Sequence, residues 1–263
     1  MKALMKSELK RMLGSRNMML ALGIGMVLSL WFLIQYVWGQ SVYQGYDFPE
    51  TVFQKWIGAY SFPVQSFLYY LLLPFIAVLP GGGTFYDDKE SGLLLNFWIR
   101  CSRMKYLIVK YIAVFFAGGI AFVTPLIFNF IIAAAHFPAL RPEELTSIGP
   151  SKTFLFLDLY YDHPWIYLIL FLILAFLMAG GMAGITLAVS FYIEQKAMVL
   201  LIPFGIYFGV YCINNIIGTL DFAPNYFLIS GMGIASVWEI VLSVLVWAAG
   251  CIIFLIKGRR YEG

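Results

Sequence analysis

The chain has 263 residues and a formal net charge of +3, with 62% hydrophobic residues and only 12% charged ones. A soluble domain carries about 25% charged residues, so this composition argues against a water-soluble enzyme and for a chain whose main solvent is hydrocarbon. The small positive balance does not indicate nucleic-acid binding, because the basic residues are dispersed rather than gathered with aromatics on one face.

Residues 1–13 set Leu4, Met5, Leu9, Met12 and Leu13 against Lys2, Lys6, Lys10 and Arg11. This spacing suits an amphipathic helix at the inner surface, with its lysines toward anionic lipid headgroups; a basic flank that orients the first span is the alternative. Ser15 and Asn17 are both candidate caps for the helix that follows. The first apolar run, 18–38, continues through Trp31 and Tyr36 without a small-residue cleavage site, so it reads as a retained span and not a signal peptide. The second candidate, 56–80, contains Pro63, Gln65 and Pro74, and its cleanest apolar part, 67–79, is short for a crossing. Further spans are expected at 106–135, 165–192, 197–220 and 237–256, the first two of these long enough to tilt. The expected fold is an all-α polytopic membrane protein, a single transmembrane domain over 1–263 with six transmembrane helices and an N-terminal interfacial helix.

Charge placement sets the orientation. With the N-terminus cytoplasmic, all of the 17 Lys and Arg residues except Lys55, Arg141 and Lys152 fall on the inner side. That asymmetry follows the positive-inside rule and implies a cell-membrane protein with both termini cytoplasmic. Two external connections are then expected, a short one over 43–54 and a longer one over 137–164. The longer one carries Pro138, Pro142, Pro150 and Pro164 with aromatic residues suited to short interfacial helices. Residues 221–233, interrupted by Pro224, Asn225, Gly231 and Gly233, are a candidate re-entrant or interfacial segment.

Catalytic patterns are thin. His136 and His163 belong to no zinc motif, and Cys101, Cys212 and Cys251 have neither disulfide-framework nor metal-site spacing. Gly81-Gly82-Gly83 lacks the lysine of a phosphate-binding loop and reads as a flexible turn or pivot after Pro80. The expectation is a non-catalytic membrane subunit without a cofactor or metal of its own. Gln35, Gln65, Asn129, Asn214 and Asn215 lie in or near spans and are candidates for a pathway lining or for contacts between helices. Glu239 is expected at the hydrated outer edge of the sixth span, and Gly118-Gly119 and Gly180-Gly181 with Gly184 would admit close helix packing.

The densest mixed-charge stretch is 87–105. Asp87, Asp88 and Glu90 precede Ser91-Gly92, an apolar face of Leu93, Leu94, Phe97 and Trp98 follows, and Arg100, Arg103 and Lys105 come last. Acid before base suits a helix dipole, and an apolar face in a short cytoplasmic loop needs a membrane or protein surface to cover it. Lys110 is expected to open the third span with its side chain reaching back to the interface.

Glu90-Ser91-Gly92, the apolar 93–99 segment, Arg103, Tyr106-Leu107 and Lys110 together resemble the membrane subunits of the ABC-2 type transporter family, with Cys101-Ser102 where the family commonly has a proline-containing stretch. The resemblance in motif covers about 25 residues, and the six expected spans extend it along the chain. It implies an ATP-driven exporter in which 87–105 is the coupling segment that docks separate ABC ATPase subunits. Asp88, Glu90, Gly92, Leu93, Leu94, Phe97, Trp98, Arg100 and Arg103 would carry that coupling. ATP and Mg would sit in the partner ATPase, and a second permease subunit, identical or homologous, would complete the assembly. The aromatic, charge-poor spans suit an amphipathic peptide or lipid-like substrate, and antimicrobial-peptide self-protection is one setting found among small bacterial members. The alternative is a non-transport membrane scaffold that recruits a cytoplasmic protein through the same segment.

Overall fold

A computed structural model describes residues 2–43, 49–60, 63–143, 155–217, 227–229 and 237–261, and every regular element among them is helical. The chain opens with α1 (Lys2–Leu13) and α2 (Arg16–Tyr36). Ser15 is the cap between them: its hydroxyl accepts from the Met18 amide at 3.0 Å, satisfying one of the orphan donors at the start of α2.

The second expected span is segmented. Residues 51–59 form buried turns, and helix begins only with α3 (Val64–Leu71), followed by α4 (Leu73–Val78). Pro74, near the start of α4, has no amide to offer the carbonyl of Tyr70 four residues back. The hydroxyl of Tyr207 donates to that carbonyl at 2.8 Å, so a neighbouring helix satisfies the group that proline leaves open, as a hydrocarbon environment requires.

Then come α5 (Thr84–Glu90), α6 (Leu93–Arg100), α7 (Arg103–Ala134), α8 (Leu157–Asp162), α9 (Pro164–Val189), α10 (Lys196–Ile217) and α11 (Val237–Arg260). Among the described residues five helices, α2, α7, α9, α10 and α11, are long and apolar enough to cross a membrane, which makes this an all-α, multi-spanning membrane protein. The remaining expected span, 56–80, is not one long helix but the broken α3–α4 path. The 221–233 segment lies outside the described residues except for Phe227, Leu228 and Ile229, which are buried.

The apolar window of α7 is 56% buried and that of α11 only 22%, which puts α7 at the centre and α11 at the periphery. Small residues let α7 and α9 approach closely as antiparallel neighbours: Gly180 faces the carbonyl of Phe115, Gly184 faces Tyr111 and Gly119 faces Phe176. A Cβ on Gly118 would sit 2.7 Å from both Ala183 Cβ and the Ala77 carbonyl oxygen. On the other side of α7, the Pro125 ring fills the space above Gly25 of α2, and Asn129 reaches Ser29.

The Gly81–Gly83 turn is packed, which corrects its reading as a flexible turn. Added Cβ atoms would meet Met12 of α1, Val114 of α7, Thr186 of α9 and Lys196 of α10 at 2.8 to 3.2 Å, so four elements converge on bare backbone. The constraint is tightest at Gly82, where an added Cβ would also lie 2.8 Å from the Val78 carbonyl oxygen.

Candidate functional site

The 32 residues of α7 extend about 48 Å, against about 30 Å of hydrocarbon, so one end projects beyond the apolar layer. Its first two turns carry Tyr106 and Lys110, both fully buried. Lys110 does not reach back to an interface, as its sequence position implied. Its ammonium donates to Asp88 Oδ2 at 2.6 Å and to Glu8 Oε2 at 2.9 Å. The Tyr106 hydroxyl donates to the same Asp88 oxygen at 2.6 Å, and Arg11 grips the carboxylate with two nitrogens, at 2.9 and 3.2 Å. Arg11 also lies 3.7 Å from Glu8.

Two acids and two bases from α1, α5 and α7 therefore form one neutral cluster, and three of the four are buried. Breaking such a group would strand a charge in a poorly solvated site, so it fixes the relative positions of the three helices. Burial alone would push the Asp88 carboxyl up. The charge of Lys110 and the hydrogen bonds from Arg11, Lys110 and Tyr106 outweigh burial and hold it below its ordinary range.

The neighbouring residues of α5 extend the connection. Asp87 Oδ2 pairs with Lys196, the first residue of α10, at 2.7 Å, and the Tyr86 hydroxyl donates to the Glu194 carbonyl just before that helix. One seven-residue helix thus contacts α1, α7 and the start of α10. The exposed Lys196–Asp87 pair contributes little to stability, about 0–1 kcal/mol, but it sets direction.

Between α5 and α6, Gly92 adopts φ +69°, a left-handed conformation that costs other residues about 1–2 kcal/mol. The chain turns there, and α6 lays one side against the body of the protein. Leu94 is buried, Phe97 stacks on Tyr106 with centroids 5.0 Å apart, and Trp98 lies under the Arg103 guanidinium at 4.4 Å. Arg103 also donates to the Tyr261 carbonyl at the end of the described chain.

This changes which residues can form an outward surface. Leu94 faces inward, and Phe97 and Trp98 are half-covered by their own chain. Leu95 and Ile99, one helical turn apart, are exposed at 56% and 84%, and Leu93, Asn96 and Glu90 are exposed beside them. The side chain of Arg100 lies outside the described residues.

The polar candidates in the spans are mostly engaged with neighbouring helices. Gln65 donates to Gln35 at 2.6 Å across α3 and α2. Asn129 is fully buried, donating to Ser29 and accepting from the Ile57 amide at 2.9 Å, so it anchors the non-helical 51–59 turns to α7 and α2. Asn215 is exposed and bonds back to the Tyr211 carbonyl. Asn214 points inward, with an amide nitrogen that has no hydrogen-bond partner among the described residues. Glu239 is 8% exposed, so it is not the hydrated edge residue its position implied.

Sequence reasoning did not single out Glu8, Arg11 or Tyr106 as members of a cluster. A signal was present: Leu4, Glu8 and Met12 lie at successive i, i+4 positions, placing an acid on the apolar stripe of α1. Among the described residues no group of three His, Cys, Asp or Glu side chains is arranged to hold a metal. No protein-family model matches the sequence, and no curated protein matches it significantly.

Proposed function

We propose that the chain is the permease subunit of an ATP-driven ABC-2 exporter, paired with a second permease and two ABC ATPase subunits, moving an amphipathic peptide or lipid-like substrate. The observation that carries the proposal is the coupling of an outward apolar helix face, Leu95 and Ile99 on α6, to a buried ion cluster one short helix away. A partner that pushes on α6 displaces Gly92 and α5. Asp88 passes that displacement to α1 and α7, and Asp87 passes it to α10. The resemblance of 90–110 to the ABC-2 coupling region supplies the identity of the partner.

In this reading the cluster lies on the cytoplasmic side with both termini, the end to which most Lys and Arg belong. The segmented α3–α4 path is the sixth crossing, its open carbonyl closed by Tyr207. The chain itself carries no ATP chemistry; its part is to convert motion at α6 into changed helix packing.

The test is reconstitution with candidate ABC ATPases in vesicles. Cargo-stimulated ATP turnover with ATP-dependent flux supports the exporter. Stable ATPase binding without turnover or flux identifies a recruiting scaffold instead.

A further inference from the structure

Two faces of α1 meet different surroundings. Leu4, Glu8 and Met12 form the row turned into the protein, with Glu8 buried in the ion cluster and Met12 fully buried against Gly81. Lys2, Lys6 and Lys10 form a second row at the same i, i+4 spacing, and all three are exposed. Lys6 and Lys10 each lie two positions from Glu8, about 160° from it around the helix, so the acid of α1 faces away from its lysines. None of the three lysines has an acidic partner among the described residues. Beside them Met5 and Leu9 are half-buried and Leu13 is exposed, and the two rows together line an open groove along α1.

The groove ends at Gly14, where the chain passes through Ser15 into the spanning α2, whose first turns expose Met19 and Leu20. That connection holds α1 at the edge of the hydrocarbon layer, with a row of unpaired cations beside an apolar one. Acidic phospholipid matches both rows, its phosphates meeting the lysines and its acyl chains the apolar side chains. An acidic protein would satisfy the lysines alone, and the continuity of the apolar row with the exposed start of α2 favours the membrane.

We propose that α1 binds acidic phospholipids of the adjacent leaflet through Lys2, Lys6 and Lys10, and that this binding holds Glu8 and Arg11 in the cluster with Asp88 and Lys110. A ligand favours one state only through differential affinity. Docked α1 offers the lipid its lysines while Glu8 is paired with Lys110. Released onto the leaflet, the helix would bring its Leu4, Glu8 and Met12 row to the lipid and set an unpaired carboxylate among anionic headgroups. Acidic lipid therefore favours the docked state, and a zwitterionic leaflet lacks that preference. The inference stands on α1 and the cluster and does not need the exporter reading.

The test uses the full chain in nanodiscs of phosphatidylcholine, alone or mixed with phosphatidylglycerol. No ATPase is present, so failure here leaves the exporter reading intact. With Cys101, Cys212 and Cys251 replaced by Ser, Met12→Cys reports release of α1 through its alkylation by a water-soluble maleimide, because position 12 is fully buried when the helix is docked. Phosphatidylglycerol should slow alkylation roughly tenfold, within the ceiling of roughly a hundredfold that three near-surface lysines set. The slowing should vanish when Lys2→Gln, Lys6→Gln and Lys10→Gln are combined, and return when the same three positions carry Arg. Removing three exposed charges at the end of α11, with Lys257→Gln, Arg259→Gln and Arg260→Gln, should leave it intact. Hydrogen exchange of the α1 amides in the native chain reads the same opening should the Met12→Cys chain fail to fold. Equal rates in the two lipids, or a slowing that survives loss of the three lysines or disappears with loss of the α11 charges, would overturn the proposal.

Discussion

Lys110 and Asp88 lie 2.6 Å apart with side chains 0% and 1% exposed, so α7 and α5 are joined by an ion pair withdrawn from solvent. Glu8 and Arg11 complete a charge-neutral set. Lys110→Met removes one positive charge and should destabilise the protein by about 3–5 kcal/mol, because Asp88 and Glu8 remain buried with only Arg11 for both. The double variant Lys110→Met with Glu8→Gln restores neutrality and should be more stable than the sum of the two single losses. Thermal unfolding in detergent measures both, and strict additivity would show that the four charges act independently.

The same cluster sets a pH dependence. Asp88 is held below its ordinary value of 3.8, so in the folded state it stays charged at pH values where the unfolded chain begins to take up a proton. Its contribution is therefore fully present above the unfolded value and is lost as pH falls through the depressed folded one. Stability should show an acid limb that flattens in Asp88→Asn. An unchanged limb in that variant would assign the acid sensitivity to other carboxylates.

Two glycines should fail for different reasons. Gly118→Ala places a methyl 2.7 Å from Ala183 and the Ala77 carbonyl, and should cost about 1–3 kcal/mol by forcing α7 from α9. Gly92→Ala meets no atom within 4 Å, but φ is +69°, so the cost of about 1–2 kcal/mol falls on the turn between α5 and α6. Limited proteolysis near residue 92 should rise in the second variant only.

Tyr207→Phe leaves the Tyr70 carbonyl without the donor that compensates for Pro74, and should cost about 1–3 kcal/mol. Replacing Pro74 with Ala in the same background restores an amide to the helix and should recover part of the loss. No recovery would mean that the Tyr207 hydroxyl acts through other contacts.

The long apolar helices were legible because a hydrocarbon solvent demands about twenty apolar residues in a row, and α2, α7, α9, α10 and α11 supply them openly. The break at Leu72 and Pro74 was visible as a proline, but its compensation by Tyr207 was not, since the two residues are 137 positions apart from carbonyl to donor. The cluster was hidden for the same reason: Glu8 and Lys110 are separated by 102 positions. Charge order along 87–105 marked out α5 and α6 as a mixed-charge segment, but helical periodicity could not say which face of α6 turns inward. Phe97 stacks on Tyr106 and Leu94 is buried, so the largest apolar residues of the motif hold α6 in place, and Leu95 with Ile99 forms its free surface.

The most direct measurement of the central claim is ATP turnover by a reconstituted complex carrying Leu95→Asp and Ile99→Asp. Both side chains are largely exposed, so the variant should fold and unfold like the native protein. Loss of ATPase association and of cargo-stimulated turnover at unchanged thermal stability is the predicted result. Native association and turnover in that variant would contradict docking through α6, and with it the route by which the ion cluster is held to couple ATP hydrolysis to the spans.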